Sequence, residues 1–182
     1  MIFKDVSAYM NENKRRPIPA LPIPLVAEHL GITSAAVMGR AHRGKLELLE
    51  IGKTKMVLVR SLLALKEERE WKVMTVREEL KRVAGRGERR VFYEPIMKAV
   101  GLDWRVPAHR REIGGILGDL SVETYKMDDL LLSVLVHQKK AGRTMPGAGF
   151  FDLAEGLGLT WQDEHLFVEG QTDKVMAKFG PD

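Results

Sequence analysis

From Ile23 to Leu65 the apolar positions change period in a readable order. Leu25, Val26 and Leu30 fall on one helical face, with Ala27 small beside them. Gly31 stands where a helix end wants a left-handed residue. Thr33 or Ser34 can cap a second helix, predicted to run to about Arg43 and to stop at Gly44. Two short extended runs, Leu46 to Ile51 and Met56 to Arg60, flank Gly52-Lys53-Thr54-Lys55. Ser61 can cap a further helix, SLLALKEERE. The pattern predicts helix, tight turn, helix, hairpin, helix.

Elsewhere the pattern is coarser. Ile2, Phe3, Val6, Tyr9 and Met10 share a helical face, which is expected to pack within the chain or to make a dimer contact. PIPALPIP, with four prolines in eight residues, favours an extended tether. Thr75 with Glu78 has the form of a capping box and predicts a separate short helix, TVREELKRVA. Gly85-Arg86-Gly87-Glu88 is glycine-rich and charged, and is the best internal boundary. The predicted domains are therefore residues 1–84 and 85–182.

In the second half, Ile96, Met97, Val100 and Leu102 give one buried face, and Ile113, Ile116, Leu117 and Leu120 another. The pair Gly114-Gly115 suggests close approach of another backbone. Leu130 to His137 reads as a buried strand. A basic glycine-rich loop, KKAGRTMPGAG, a helix FFDLAEGLGL and a last amphipathic helix over 165–179 follow. Residues from about Arg89 to Phe179 hold enough apolar side chains for a core of their own.

Composition narrows the classes. The 182 residues are 45% apolar and 30% charged, ordinary for a globular protein. Net charge is +4 and the pI about 9.3, compatible with a nucleic-acid partner. The charge is uneven: residues 31–60 carry six basic residues against two acidic, and residues 150–182 two against seven. With no cysteine, disulfides, thiolate zinc sites and cysteine nucleophiles are excluded, which suits the cytoplasm. No apolar run approaches the roughly 18 residues of a membrane span, and residues 1–10 lack a signal-peptide pattern.

Candidate chemistry is sparse. His29, His42, His109, His137 and His165 are scattered, without ligand-pair spacing, and read as surface or capping residues. Gly147-Ala148-Gly149 lacks the lysine and hydroxyl of a phosphate loop. No nucleophile–base constellation is recognisable, so neither an enzyme nor a cofactor is expected. The basic positions point instead to DNA. On the second helix the candidates are Thr33, Ser34, Ala35, Met38, Gly39, His42 and Arg43; in the hairpin they are Lys45, Lys53 and Lys55. Arginine and histidine can read base edges, while lysine mostly binds phosphate. His109, Arg110 and Arg111, in the first turn of a predicted helix, suit a further phosphate, unless Glu112 or Asp103 neutralises the arginines.

The residues VAEHLGIT, Ala36, Val37, RGKL, the glycine hairpin and VRSLLAL together resemble the excisionase/MerR-type winged helix-turn-helix family, over about a quarter of the chain. Arg40 and Ala41 depart from that pattern, and Gly39 stands inside the second helix at a cost of about 1 kcal/mol. The stretch GGILGDLS…LLLSVLVHQKKAGRTMPGAGFF loosely resembles uncharacterised bacterial winged-helix-like domains and the DNA-binding domain of alkyltransferase-like proteins, whose reactive cysteine is absent here. These resemblances imply a mainly α fold with short β-hairpins, in two small winged-helix-like units. They imply sequence-selective binding of double-stranded DNA, as a bacterial or phage regulator of transcription or of a mobile element, with a recognition helix over 34–43 and a basic wing over 45–60. The second half would add a DNA surface, or a homodimer or protein contact. The alternatives are a protein-interaction adaptor on winged-helix scaffolds and a non-catalytic sensor of modified nucleic acid.

Overall fold

The computed structural model describes residues 1–13, 18–140 and 143–181. The chain is mainly helical, with two small mixed sheets. It divides into two compact units, residues Met1–Glu68 and Arg69–Asp182. Among the described residues no helix is long and apolar enough to cross a membrane.

Unit 1 contains β1 (Ile2–Phe3), α1 (Val6–Asn13), β2 (Ala20–Pro22), α2 (Ile23–His29), α3 (Ser34–His42), β3 (Leu48–Ile51), β4 (Thr54–Leu58) and the start of α4 (Val59–Gly85). Its sheet has the order β1-β3-β4-β2; β1 lies parallel to β3, and the other pairs are antiparallel. Strand alternation splits the apolar residues between two faces. Leu48 and Val57 pack with Val26, Ala27, Val37 and Leu46. Leu49, Ile51 and Met56 pack on the other face with Phe3 and Leu58.

One expectation fails in this unit, and another is met only in part. The proline-rich stretch is no tether from Ala20 on. It forms edge strand β2, where proline is tolerated because an edge needs few N–H donors. The N-terminal apolar face is only partly packed: Phe3 is buried, while Ile2, Val6 and Met10 are exposed. Lys14-Arg15-Arg16, which the sequence offers as either a phosphate contact or a solvated linker, lies outside the described residues.

Unit 2 contains the rest of α4, β5 (Val91–Phe92), α5 (Tyr93–Ala99), α6 (Pro107–Asp128), a 3-10 turn (Leu132–Leu135), β6 (Val136–Lys140), β7 (Arg143–Met145), α7 (Ala148–Gly156) and α8 (Glu164–Phe179). Its sheet has the order β5-β6-β7, with β5 parallel to β6. Ile96, Val100, Ile113, Leu117, Leu131, Val134, Val136 and Phe150 are all buried in one continuous core.

Several boundaries move from those expected. α4 is one 27-residue helix with no break at Thr75. A capping box has the same local sequence whether or not a helix starts there, and here packing of Val73, Val76, Leu80, Val83 and Ala84 carries the helix through. Those residues belong to the core of unit 2, so the division falls between residues 68 and 69, not at Gly85. Residues 85–88 are only the turn that ends α4, with Gly87 at φ 77°.

The strand expected over 130–137 begins only at Val136. Before it, side chains supply the acceptors: Leu131 N–H donates to Gln171 Oε1 at 3.1 Å, and Leu132 N–H to Thr124 Oγ1 at 3.3 Å. With those buried donors satisfied, no neighbouring strand is needed. Nor does a backbone approach Gly115. The Arg69 guanidinium fills that space, held by Asp119 at 2.9 and 2.7 Å, and a Cβ on Gly115 would stand 2.9 Å from its Nη2.

Candidate nucleic-acid interface

The turn between α2 and α3 is built locally. Gly31 takes φ 61°, so Ile32 N–H can reach Ala27 O at 3.0 Å and close α2. Thr33 Oγ1 accepts from Ala36 N–H at 3.1 Å and opens α3; such a cap contributes about 1 kcal/mol. Val37 and, one turn on, Ala41 face the core. The opposite face carries Ala35, Gly39 and His42, with Ala36 and Arg43 beside them. This outer face is small in the middle and cationic at its end. Gly39 has a direct role there: the Arg43 guanidinium lies over it, and a Cβ would stand 3.3 Å from Nη1.

The hairpin β3–β4 turns through Gly52 and Lys53, with Gly52 at φ 58°. Gly52 N–H donates to Phe3 O at 2.9 Å, which ties β1 to the hairpin tip. Ser61, expected as a helix cap, is buried and latches the hairpin to α4: its hydroxyl donates to Leu58 O at 2.8 Å and accepts from Glu47 N–H at 3.1 Å.

The expected residues fare differently. Thr33, Ser34, Ala35, His42, Arg43, Lys45, Lys53 and Lys55 are exposed, while Met38 and Gly39 are half-buried. Lys55 is engaged with Glu50 across the hairpin at 3.0 Å, and Lys45 stands 4.0 Å from Glu68. Glu47 pairs with Arg60, whose hydrogen bond holds the Glu47 carboxyl below its usual range. Arg43, His42 and Lys53 have no ion-pair partner among the described residues. Two basic residues were missed by the sequence reading. Arg40 follows Gly39 on α3, and Lys4 is brought beside Gly52 by the pairing of β1 with β3. Only the sequence-distant strand pairing reveals Lys4.

No protein-family model matches the chain, and no curated protein or solved structure matches it significantly.

His109, Arg110 and Arg111 belong to unit 2. His109 is half-buried, and its Nδ1 accepts from Asp103 N–H at 3.0 Å, so the ring pins the turn before α6. Arg110 Nη1 donates to Trp104 O at 2.9 Å. Neither carboxylate named above neutralises the arginines: Glu112 holds Lys72 at 2.6 Å, and Asp103 Oδ1 accepts from Arg105 N–H at 2.8 Å.

His137 is a surprise in the other direction. It is 7% exposed, and neither ring nitrogen has a hydrogen-bond partner at proper geometry among the described residues. Burial lowers its pKa; the carbonyls of Val134 and Thr144 favour the charged ring but miss hydrogen-bond geometry and only partly offset this. A pocket of about 150 Å³ in unit 2 is lined by Tyr93, Gly114, Gly118, Ser133 and Gly149, among others. Its hydroxyls are engaged: Ser133 meets Ser121 at 2.5 Å, and burial pushes the Tyr93 phenol up while a hydrogen bond with the Gly147 backbone partly offsets it.

Proposed function

We propose that the chain binds double-stranded DNA through unit 1 as a sequence-selective regulator of transcription or of a mobile element. In this reading unit 1 is a winged helix. The order α1, β2, α2, turn, α3, β3, β4, with β2 antiparallel to β4, supports that assignment. α3 enters the major groove, and the tip of β3–β4 reaches the flanking backbone. The observation that carries the reading is the outer face of α3: Ala35 and Ala36 let the helix approach closely, and Arg43, lying over Gly39, and His42 stand at its end without an ion-pair partner among the described residues. Lys53 and Lys4 supply phosphate contacts beside it.

The test is duplex binding by the full chain at several salt concentrations, with a preferred site found by selection from random sequence. If about five phosphates are contacted, log affinity falls against log salt with a slope of roughly −4 to −5. A flat salt response overturns the proposal. The adaptor reading has one specific observation in its favour: Glu50 and Glu47 occupy Lys55 and Arg60. It predicts that flat response.

A further inference from the structure

The turn between α5 and α6 does more than join two helices. It repeats the unit 1 device as far as Leu102: Gly101 sits at φ 70°, and Leu102 N–H donates to Met97 O at 2.8 Å. Leu102 is buried and completes the packing that Ile32 serves in unit 1. In unit 1 the next residue, Thr33, caps α3 at once. In unit 2, Asp103, Trp104, Arg105 and Val106 intervene before α6 begins at Pro107.

The main product of that insertion is a surface. Trp104 is 47% exposed, although an indole is among the side chains that gain most from burial. The Arg105 guanidinium lies 5.8 Å from the ring centroid. Arg110 is anchored on the Trp104 carbonyl, and Arg111, the next residue of α6, is exposed. None of the three guanidiniums has a carboxylate partner among the described residues: Glu112 holds Lys72, and Asp103 accepts the Arg105 backbone N–H within the turn. His109 and Asp103 hold the turn in shape.

We infer that this turn binds single-stranded nucleic acid, with Trp104 stacking on a base and Arg105, Arg110 and Arg111 contacting the flanking phosphates. The charge selects a polyanion over an ordinary protein surface. The exposed indole selects, among polyanions, one whose base faces are accessible. An intact duplex offers phosphates and base edges, whereas a single strand offers the flat face on which an aromatic ring stacks. This inference is independent of the duplex reading for unit 1.

The experiment uses the full chain with an oligothymidylate and an oligouridylate of about eight nucleotides, followed by anisotropy and tryptophan fluorescence at low salt. Binding is expected to quench part of the fluorescence. Trp104→Ala weakens affinity about five- to a hundredfold, as loss of one stacked base does. Trp104→Phe keeps most of the affinity and loses the quenching. Arg111→Ala lowers the salt slope by about 0.7, the value for one single-strand phosphate. Thermal melts confirm that the variants fold. Unchanged affinity in folded Trp104→Ala overturns the proposal, as does a wild-type chain that binds neither oligomer. The duplex reading fails separately: Arg43→Ala and Lys53→Ala should leave oligomer binding intact, and oligomer binding that follows Arg43 instead of Trp104 also overturns the proposal. A comparison of the two oligomers then states whether DNA or RNA is preferred.

Discussion

Unit 1 and unit 2 open alike and finish differently. In each, a short strand runs straight into a helix, β2 into α2 and β5 into α5. Each helix ends on a left-handed glycine, and the next residue bonds back across the turn, Ile32 to Ala27 and Leu102 to Met97. A second helix and a hairpin follow. Yet β2 lies antiparallel to β4, the hairpin's second strand, while β5 lies parallel to β6, the first. In unit 1 that parallel place beside the hairpin is held by β1. A shared helix-turn device therefore does not choose its strand partner; the partner is chosen by what else reaches the hairpin. The cores differ too. Unit 1 packs two small clusters on opposite faces of a thin sheet, and unit 2 closes around one continuous core. Unit 2 has the larger reserve of buried apolar surface and should be the more stable.

The largest effect that bears on this contrast is in the core of unit 2. Leu120 is wholly buried there, and Leu120→Ala should cost on the order of 2–5 kcal/mol. In the wild-type chain, amide exchange should report unit 1 opening first, and the Leu120 variant should narrow or reverse the order. If both units exchange at one common rate before and after the change, the contrast in stability is broken.

The next effect sharpens the contrast in binding. Arg43→Ala should lose discrimination between a preferred and a scrambled duplex, by on the order of 1–3 kcal/mol, with His42→Ala acting in the same direction. Lys53→Ala should weaken both duplexes alike and lower the salt slope by about 1. Lys55→Ala should do less, because Glu50 already engages that ammonium. Equal losses from the two lysines, measured in one titration series, would show that the cross-strand pair does not restrain Lys55.

The smallest effect concerns pH. His137 is buried with its pKa lowered, so the unfolded chain binds a proton that the native chain resists. Stability from this group is fully present above the unfolded value of about 6.5. It is lost as pH falls from there toward the lowered native value. Thermal melts of the wild type and His137→Leu between neutral and mildly acidic pH should diverge in this direction, in unit 2 only. Parallel curves would show that the buried ring is not resisting protonation.

What the sequence made legible follows the range of the interactions. The α2–α3 turn and the β3–β4 hairpin could be read because Gly31, Thr33 and Gly52 act within a few residues. The 3-10 turn at Leu132 could not, since the acceptors that make it possible are on Thr124 and on Gln171, which is far away in the chain. Lys4 was missed for the same reason: only the pairing of Ile2 with Glu50 and Phe3 with Ile51 puts it beside the hairpin tip. His137 ends an apolar run that reads as buried, but its residue type reads as a surface or capping position, and only the fold decides between the two. The exposed face of α3 was read nearly whole, because helical spacing alone places Ala35, Gly39 and His42 opposite Val37 and Ala41. Which cations are already paired depends on the fold and was not legible.

The unbroken helix α4 has a practical consequence for dissecting the chain. Its first turns give Leu62 and Leu65 to unit 1, and its later turns give Val76, Leu80, Val83 and Ala84 to unit 2. A fragment cut at Arg89, where the sequence invites the cut, starts without four of its own core side chains. A fragment cut at Arg69 keeps them, together with the Arg69 guanidinium that grips Asp119. The seam at which this protein can be divided therefore runs through the middle of a helix and not through the glycine-rich loop after it.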